Sequence, residues 1–173
     1  IEVTFEKHLE SKILKALFKN HCYEEVAFEI YELQNQHQNI GLGMIGELES
    51  DLSENEFLKI IKDKLQCGGI RHSAFLGKKI KKVAVLGGSG SFAISKAKAV
   101  GADAFITADL KYHQFYEAEN QLLLADIGHF ESERYTKNYI VDFLIKKITN
   151  FAPALSEGKI ILSEENTNPV KYF

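Results

Sequence analysis

Apolar residues along the chain change rhythm several times. Leu9, Ile13, Leu14, Leu17 and Phe18 recur at intervals of three and four, predicting an amphipathic helix that ends near Asn20. Ile1–Phe5 before it and Val26–Ile30 after it alternate apolar and polar positions, which predicts two strands. Strand, helix and strand together make half of a small α+β sandwich. The polar run Gln34–Asn39 follows as a linker, with His37 solvated inside it. Gly41–Leu48 reads as a glycine-punctuated strand. Ser53-Glu-Asn-Glu56 has capping-box spacing and opens a helix with Phe57, Ile60, Ile61 and Leu65 facing inward, stopped by Cys67-Gly-Gly69.

From Ile70 onward the two rhythms interleave. Strands are predicted at Ile70–Phe75, Lys81–Leu86, Ala104–Thr107, Leu122–Ile127 and Lys159–Leu162. Helices are predicted at Ser91–Val100, Tyr112–Asn120 and Glu131–Asn150, the last with Tyr135, Tyr139, Phe143 and Ile148 as its apolar stripe. This alternation defines the α/β class, a mostly parallel sheet with helices on its faces.

Composition narrows the partners. Of 173 residues, 45% are hydrophobic and 26% charged, which is the range of folded globular chains rather than disordered ones. A net charge of −3 gives no overall pull toward nucleic acid or anionic lipid. Lys78-Lys79-Ile-Lys81-Lys82 is a dense basic run, read as the solvated entrance to a strand, so nucleic acid is not an expected partner. Apolar runs such as Val83–Leu86 and Leu122–Ala125 are far too short to span a membrane. Cys22 and Cys67 have no paired spacing, which points to a reducing cytoplasm. Residue 1 is Ile and the only Met is Met44, so the sequence is expected to belong to a longer product.

In an open parallel sheet the strand-to-helix loops share one edge, where ligands bind. Three such loops carry unusual polar residues. Gly87, Gly88, Ser89, Gly90 and Ser91 form the first, able either to cradle an anion on backbone N–H groups or to serve as a tight turn. Thr107-Ala-Asp109 with His113 forms the second. Asp109 suits the N-cap of the helix from Tyr112. Both Asp109 and His113 are candidates for a place behind a ligand or against substrate, and His113 also for a satisfied polar group facing the site. The third runs from Asp126 through Gly128 to His129 and Glu133. His129 and Glu133 stand one helical turn apart and can grip one metal ion. Gly128 permits a sharp turn, and the helix N-terminus is expected to keep the imidazole neutral. Asp126 and Glu131 are candidates to support these ligands, to cap, or simply to be solvated. A catalytic zinc needs three protein ligands and a structural one four, so this pair requires others.

The residues Gly87–Ser91, Ala102–Asp109 with His113, and Gly128–Glu133 resemble the Nif-three-like dinuclear metal centre family, whose bacterial members are often labelled type 2 GTP cyclohydrolase I. His21-Cys-Tyr-Glu-Glu-Val-Ala27, Gly41–Leu48 and Asn166-Thr-Asn-Pro-Val-Lys-Tyr172 add to the resemblance. It departs from the family pattern at Cys22, Val26 and Ala108. The resemblance implies that residues 1–40 are the second half of a ferredoxin-like insert and 41–173 the C-terminal α/β metal-site half. It implies two divalent ions per complete site (zinc, iron or manganese), with His129 and Glu133 as C-terminal ligands and the others supplied by an N-terminal half. It implies a hexameric homo-oligomer. The activity expected is metal-dependent hydrolysis of a nucleotide-like or phosphorylated small molecule; the alternative is a non-enzymatic metal-binding assembly or regulatory protein.

Overall fold

The computed structural model describes residues 1–35, 40–151 and 160–173, so His37 lies outside the described residues. The chain divides into two compact units, Ile1–Gln38 and Asn39–Phe173.

In the first unit a 3₁₀ turn, Lys7–Leu9, leads into α1, Glu10–Asn20, as the spacing predicts. The two flanking strands do not form: Ile1–Phe5 and Val26–Ile30 carry no ladder. Alternation says which face of a segment would be dry, but a strand exists only through hydrogen bonds to a partner, and here the two segments do not pair. Phe28 instead packs edge-on against Phe18 of α1, ring centroids 5.6 Å apart.

The second unit is an α/β sheet of five strands: β1 (Met44–Ser53), β2 (Arg71–His72), β3 (Lys79–Ser89), β4 (Ala104–Ala108) and β5 (Leu123–Asp126). Their order is β1-β3-β4-β5-β2. The central three run parallel, Ala104 pairing with both Val83 and Leu123. Both edge strands are antiparallel: β1 on β3, and β2 on β5 through Arg71–Asp126 and His72–Ala125. The parallel part of the predicted sheet is therefore its centre.

Helices cover both faces. On one side α2 (Glu54–Leu65) seals Phe57 and Leu58 against Ile80, Val83, Ala104, Ile106, Leu123 and Ala125. On the other, α3 (Ile94–Ala99) and the 3₁₀ turn Tyr112–Ala118 cover Ala84, Leu86, Phe105 and Leu124. Every residue of β4 and β5 is buried in consequence, which explains why their sequences read as continuous apolar runs. The Ser53 capping box forms as predicted, with the Glu56 amide on Ser53 Oγ and the Ser53 amide on the Glu56 carboxylate. Its inward face is Phe57, Leu58, Ile61 and Leu65; Ile60 is 41% exposed.

Several predicted elements are shorter or broken. The helix predicted at Ser91–Val100 is a 3₁₀ turn, Ser91–Ala93, followed by α3, and the one predicted at Tyr112–Asn120 is 3₁₀ over Tyr112–Ala118. Ile70–Phe75 reduces to β2 because the chain is drawn away: the Leu76 and Gly77 amides donate to the buried Glu54 carboxylate at 2.7 and 2.9 Å. The last helix splits into α4 (His129–Glu133) and α5 (Thr136–Phe151). At the break Arg134 Nη1 and Tyr135 Oη donate to Leu65 O and Lys64 O at the end of α2, anchoring the interruption. Of Lys159–Leu162, Lys159 lies outside the described residues and the rest form no strand.

Phe57 is 2% exposed, so Phe57→Ala should lower unfolding free energy by about 3–5 kcal/mol. Ile60→Ala on the same helix should cost well under that, roughly 0.5–1 kcal/mol. Urea unfolding of the two variants checks the assignment of the buried face.

Candidate metal centre

Because β3, β4 and β5 are parallel, their carboxyl ends, Ser89, Ala108 and Asp126, emerge at one edge. The three loops meet there, as topology requires. Asp109 follows β4 with φ +57°, a left-handed conformation that Asp tolerates better than most residues. It caps no helix; Lys111 holds that position for the Tyr112–Ala118 turn. Its carboxylate faces the His129 ring instead, with Oδ2 2.5 Å from Nδ1.

His129 opens α4, directly after Gly128. Gly128 has φ +90°, and a Cβ there would lie 2.3 Å from Glu131 Oε2, so the turn accepts no side chain. The other ring nitrogen, Nε2, is 3.5 Å from Glu133 Oε2. One imidazole thus stands between two carboxylates. Asp109 on Nδ1 fixes the ring's orientation and leaves Nε2 aimed at Glu133, the arrangement that raises the basicity of a metal-binding histidine. Two ligands about 2.0–2.1 Å from one ion at a tetrahedral angle lie about 3.4 Å apart, so Nε2 and Oε2 fit as a pair on one cation. Among the described residues no set of three or more His, Cys, Asp and Glu side chains is arranged around one ion. The pair fits part of a metal site.

The imidazole is half exposed, and its pKa is raised above the ordinary value. The hydrogen bond to Asp109 is the main cause; burial opposes it, and the charges of Asp109 and Glu133 add to the upward shift. The expected neutralising effect of the helix end is outweighed: α4 has only five residues, and two carboxylates stand closer to the ring than its dipole.

The glycine loop serves this pair at close range. A Cβ on Gly88 would come within 2.6 Å of Glu133 Oε1 and 3.4 Å of His129 Cε1. The Gly88 amide donates to Ser132 Oγ at 2.8 Å, and Thr107 Oγ1 donates to the Gly88 carbonyl at 3.1 Å. Gly87 and Gly88 belong to the end of β3, while Gly90 and Ser91 lead into a 3₁₀ turn. His113 is exposed, its ring edge-on to Tyr112 at 5.1 Å, away from the cavity beside His129.

That cavity holds about 960 Å³ and brings together residues that spacing could not. Asp126 is 4% exposed and accepts from the Arg71 guanidinium, the Leu110 amide at 2.8 Å and the Gly128 amide at 3.1 Å. Glu131, equally buried, accepts from Asn168 Nδ2 at 3.1 Å. The C-terminal segment supplies one wall through Thr167–Val170 and Tyr172, whose hydroxyl pKa is pushed up by burial and then by the charge of Glu131. Arg71, Asn168 and Tyr172 had no assigned role in the sequence. Asn168 and Tyr172 lie in a motif of the tail, whereas Arg71 stands in no motif.

The mixed α/β sheet brings Asp109, His129 and Glu133 together at the carboxyl edge of its parallel strands, the edge where open sheets of this class bind ligands. The model of the Duf34/NIF3 (NGG1p interacting factor 3) family matches residues 4–169, and the chain belongs to that family. It is 35% identical over 175 residues to the GTP cyclohydrolase 1 type 2 homolog of Bacillus subtilis (strain 168), covering 100% of this chain and 46% of that protein. The chain therefore spans about half the length of the curated relatives it matches. Among solved structures, a Bacillus cereus protein related to NIF3 aligns with TM-score 0.78 and 35% identity over 98% of this chain and 46% of its own. Staphylococcus aureus protein SA1388 aligns with TM-score 0.80 and 29% identity over 100% of this chain and 55% of its own. Among the described residues no helix is long and apolar enough to cross a membrane.

The raised His129 pKa has a definite sign. Stabilisation from protonated His129 is fully present below the ordinary imidazole value and is lost as pH rises through the higher folded value. In metal-stripped protein, His129 should titrate above 6.5 by NMR, and Asp109→Asn should bring it back down.

Proposed function

We propose that the full-length protein is a metal-dependent hydrolase of a nucleotide-like or phosphorylated small molecule, with His129 and Glu133 as two of its metal ligands. The observation that carries this reading is the His129 ring held at Nδ1 by Asp109 with Nε2 turned to Glu133. Nitrogen and oxygen donors of this kind suit zinc, iron or manganese. Divalent ions bound there supply Lewis acidity toward a substrate oxygen and activate water near neutral pH. The further ligands would come from the portion of the longer protein that this chain does not include. Relatives named GTP cyclohydrolase 1 type 2 homolog lend the nucleotide class its support.

Within this reading each residue has a task. Asp109 positions the imidazole. Gly87 and Gly88 leave space for Glu133, and Ser132 clamps the loop against α4. A phosphate meeting the Gly87–Ser91 loop would be bound by amides other than that of Gly88, which is already engaged. His113 would reach substrate only if the ligand extends beyond the cavity rim. The 960 Å³ cavity has room for a ligand of nucleotide size. A hexameric assembly in the cytoplasm completes the proposal, on the strength of the family resemblance.

Metal analysis and a hydrolysis screen with GTP and other phosphorylated compounds, run on the full-length protein, test the reading. His129→Ala should lose bound metal and turnover together, and Asp109→Asn should weaken metal binding about 10–100-fold. Unchanged metal content and turnover in His129→Ala would overturn it. Gly88→Ala should act like a milder ligand mutation, because its Cβ displaces the Glu133 carboxylate; metal titration by calorimetry measures the loss. Chelation that dissolves the oligomer, with no substrate found, would favour a structural role for the metal instead.

A further inference from the structure

Arg71 also lines a second cavity of about 660 Å³, to whose walls His129 does not contribute. Its walls are His72 on β2, Tyr112, Phe115 and Tyr116 on the 3₁₀ turn, and Leu122 leading into β5. The guanidinium carbon of Arg71 sits 5.6 Å from the Phe115 ring centroid. Tyr112 and Tyr116 are 70% and 68% exposed, with their hydroxyls 3.0 Å apart and their rings inclined at 77°. His72 is stacked on Phe75 at 4.6 Å and 12°, which holds the opposite wall flat.

The charge distribution distinguishes this groove from the metal-side cavity. Asp109, Glu131, Glu133 and Glu165 line the latter and disfavour a free anion. In the groove Glu119 is paired with Lys98 Nζ at 2.7 Å, so its charge is compensated. Buried Asp126 grips Arg71 through Nη2, which also donates to Leu110 O at 2.9 Å. Among the described residues no hydrogen bond leaves Arg71 Nη1 or Nε. The side chain is 61% exposed. The guanidinium is thus pre-oriented through Nη2 by one carboxylate and one carbonyl, while its Nη1 edge remains open to one oxygen of a ligand.

We propose that this groove is a binding site for a planar aromatic ring bearing an oxyanion, phosphate or carboxylate. The oxyanion takes the open edge of Arg71, and the ring lies among Tyr112, Phe115 and Tyr116. Its volume falls within the range of small-molecule sites, and its lining pairs aromatic walls with one oriented cation, the combination such a ligand needs. Binding there requires no metal, so it stands apart from the hydrolase proposal.

Calorimetry on the full-length protein, stripped of metal with EDTA, tests it with four probes: phenyl phosphate, benzoate, and their ringless counterparts inorganic phosphate and acetate. Each aryl anion should bind at least about tenfold more tightly than its counterpart, the scale of one ring stacked on an aromatic side chain. Tyr112→Ala and Tyr116→Ala, both at exposed positions, should abolish that preference without changing the ringless anions. Arg71→Lys keeps a charge beside Asp126 but loses the separate Nη1 donor, and should weaken all four. Phosphate-selective or carboxylate-selective binding by both members of a pair identifies the anionic group. No preference for the aryl anions, or a preference untouched by both tyrosine variants, overturns the site. Neither metal nor turnover enters the measurement, so its failure leaves the hydrolase proposal standing, and the converse holds.

Discussion

The buried carboxylate of Asp126 is the fastening on which the ligand edge depends. It terminates β5, pairs in register with Arg71 of the edge strand, receives the Leu110 amide after β4, and receives the Gly128 amide before α4. A carboxylate at 4% exposure is tolerable only when its lone pairs are filled, and here three separate segments fill them. Removing that one acceptor would leave two backbone donors without partners and the guanidinium without its carboxylate at once. The direction of the chain into Asp109 and into His129 follows from the same bonds. The relay between those residues is in that sense a consequence of Asp126, although Asp126 touches neither.

Much of the fold was legible because its determinants are local. The Ser53–Glu56 cap, the β4 and β5 runs and the three strand ends follow from propensity, periodicity and the rules of parallel connection. The convergence of Asp109, Gly88 and His129 needed only topology. Other features depend on partners that lie far away in sequence. Nothing near Ile70 announces that Glu54 draws off the Leu76 and Gly77 amides and shortens β2. Nothing near Tyr135 announces that the end of α2 interrupts the last helix. Ile1–Phe5 and Val26–Ile30 make the same point from the opposite side, since a correct alternation without a ladder partner yields no strand.

Asp109 illustrates how one position can offer two roles, of which the structure excludes the helix cap. A four-residue spacing to His113 and an Asp ahead of a helix suggested a cap, because capping is the local use of that residue. Its left-handed backbone turns the carboxylate the other way, onto an imidazole twenty positions later. The same contact reverses the expected effect of the helix end on His129. A short helix offers a fraction of a charge, whereas a full carboxylate at hydrogen-bond distance dominates the field at the ring.

Four of the acids between Asp109 and Glu133 gather at this edge, and partners rather than position sort them. Asp126 is consumed by Arg71 and two amides, and Glu131 by Asn168 in the buried wall. Asp109 is taken by His129 Nδ1. Glu133 is half exposed like Asp109, but it faces the remaining ring nitrogen at 3.5 Å and is approached by glycines on its other side. Each of the other three carboxylates is engaged by a closer hydrogen bond, whereas Glu133 is engaged only by the imidazole edge. The partners of these acids, set by segments far apart in the chain, therefore give neighbouring carboxylates different surroundings at one edge.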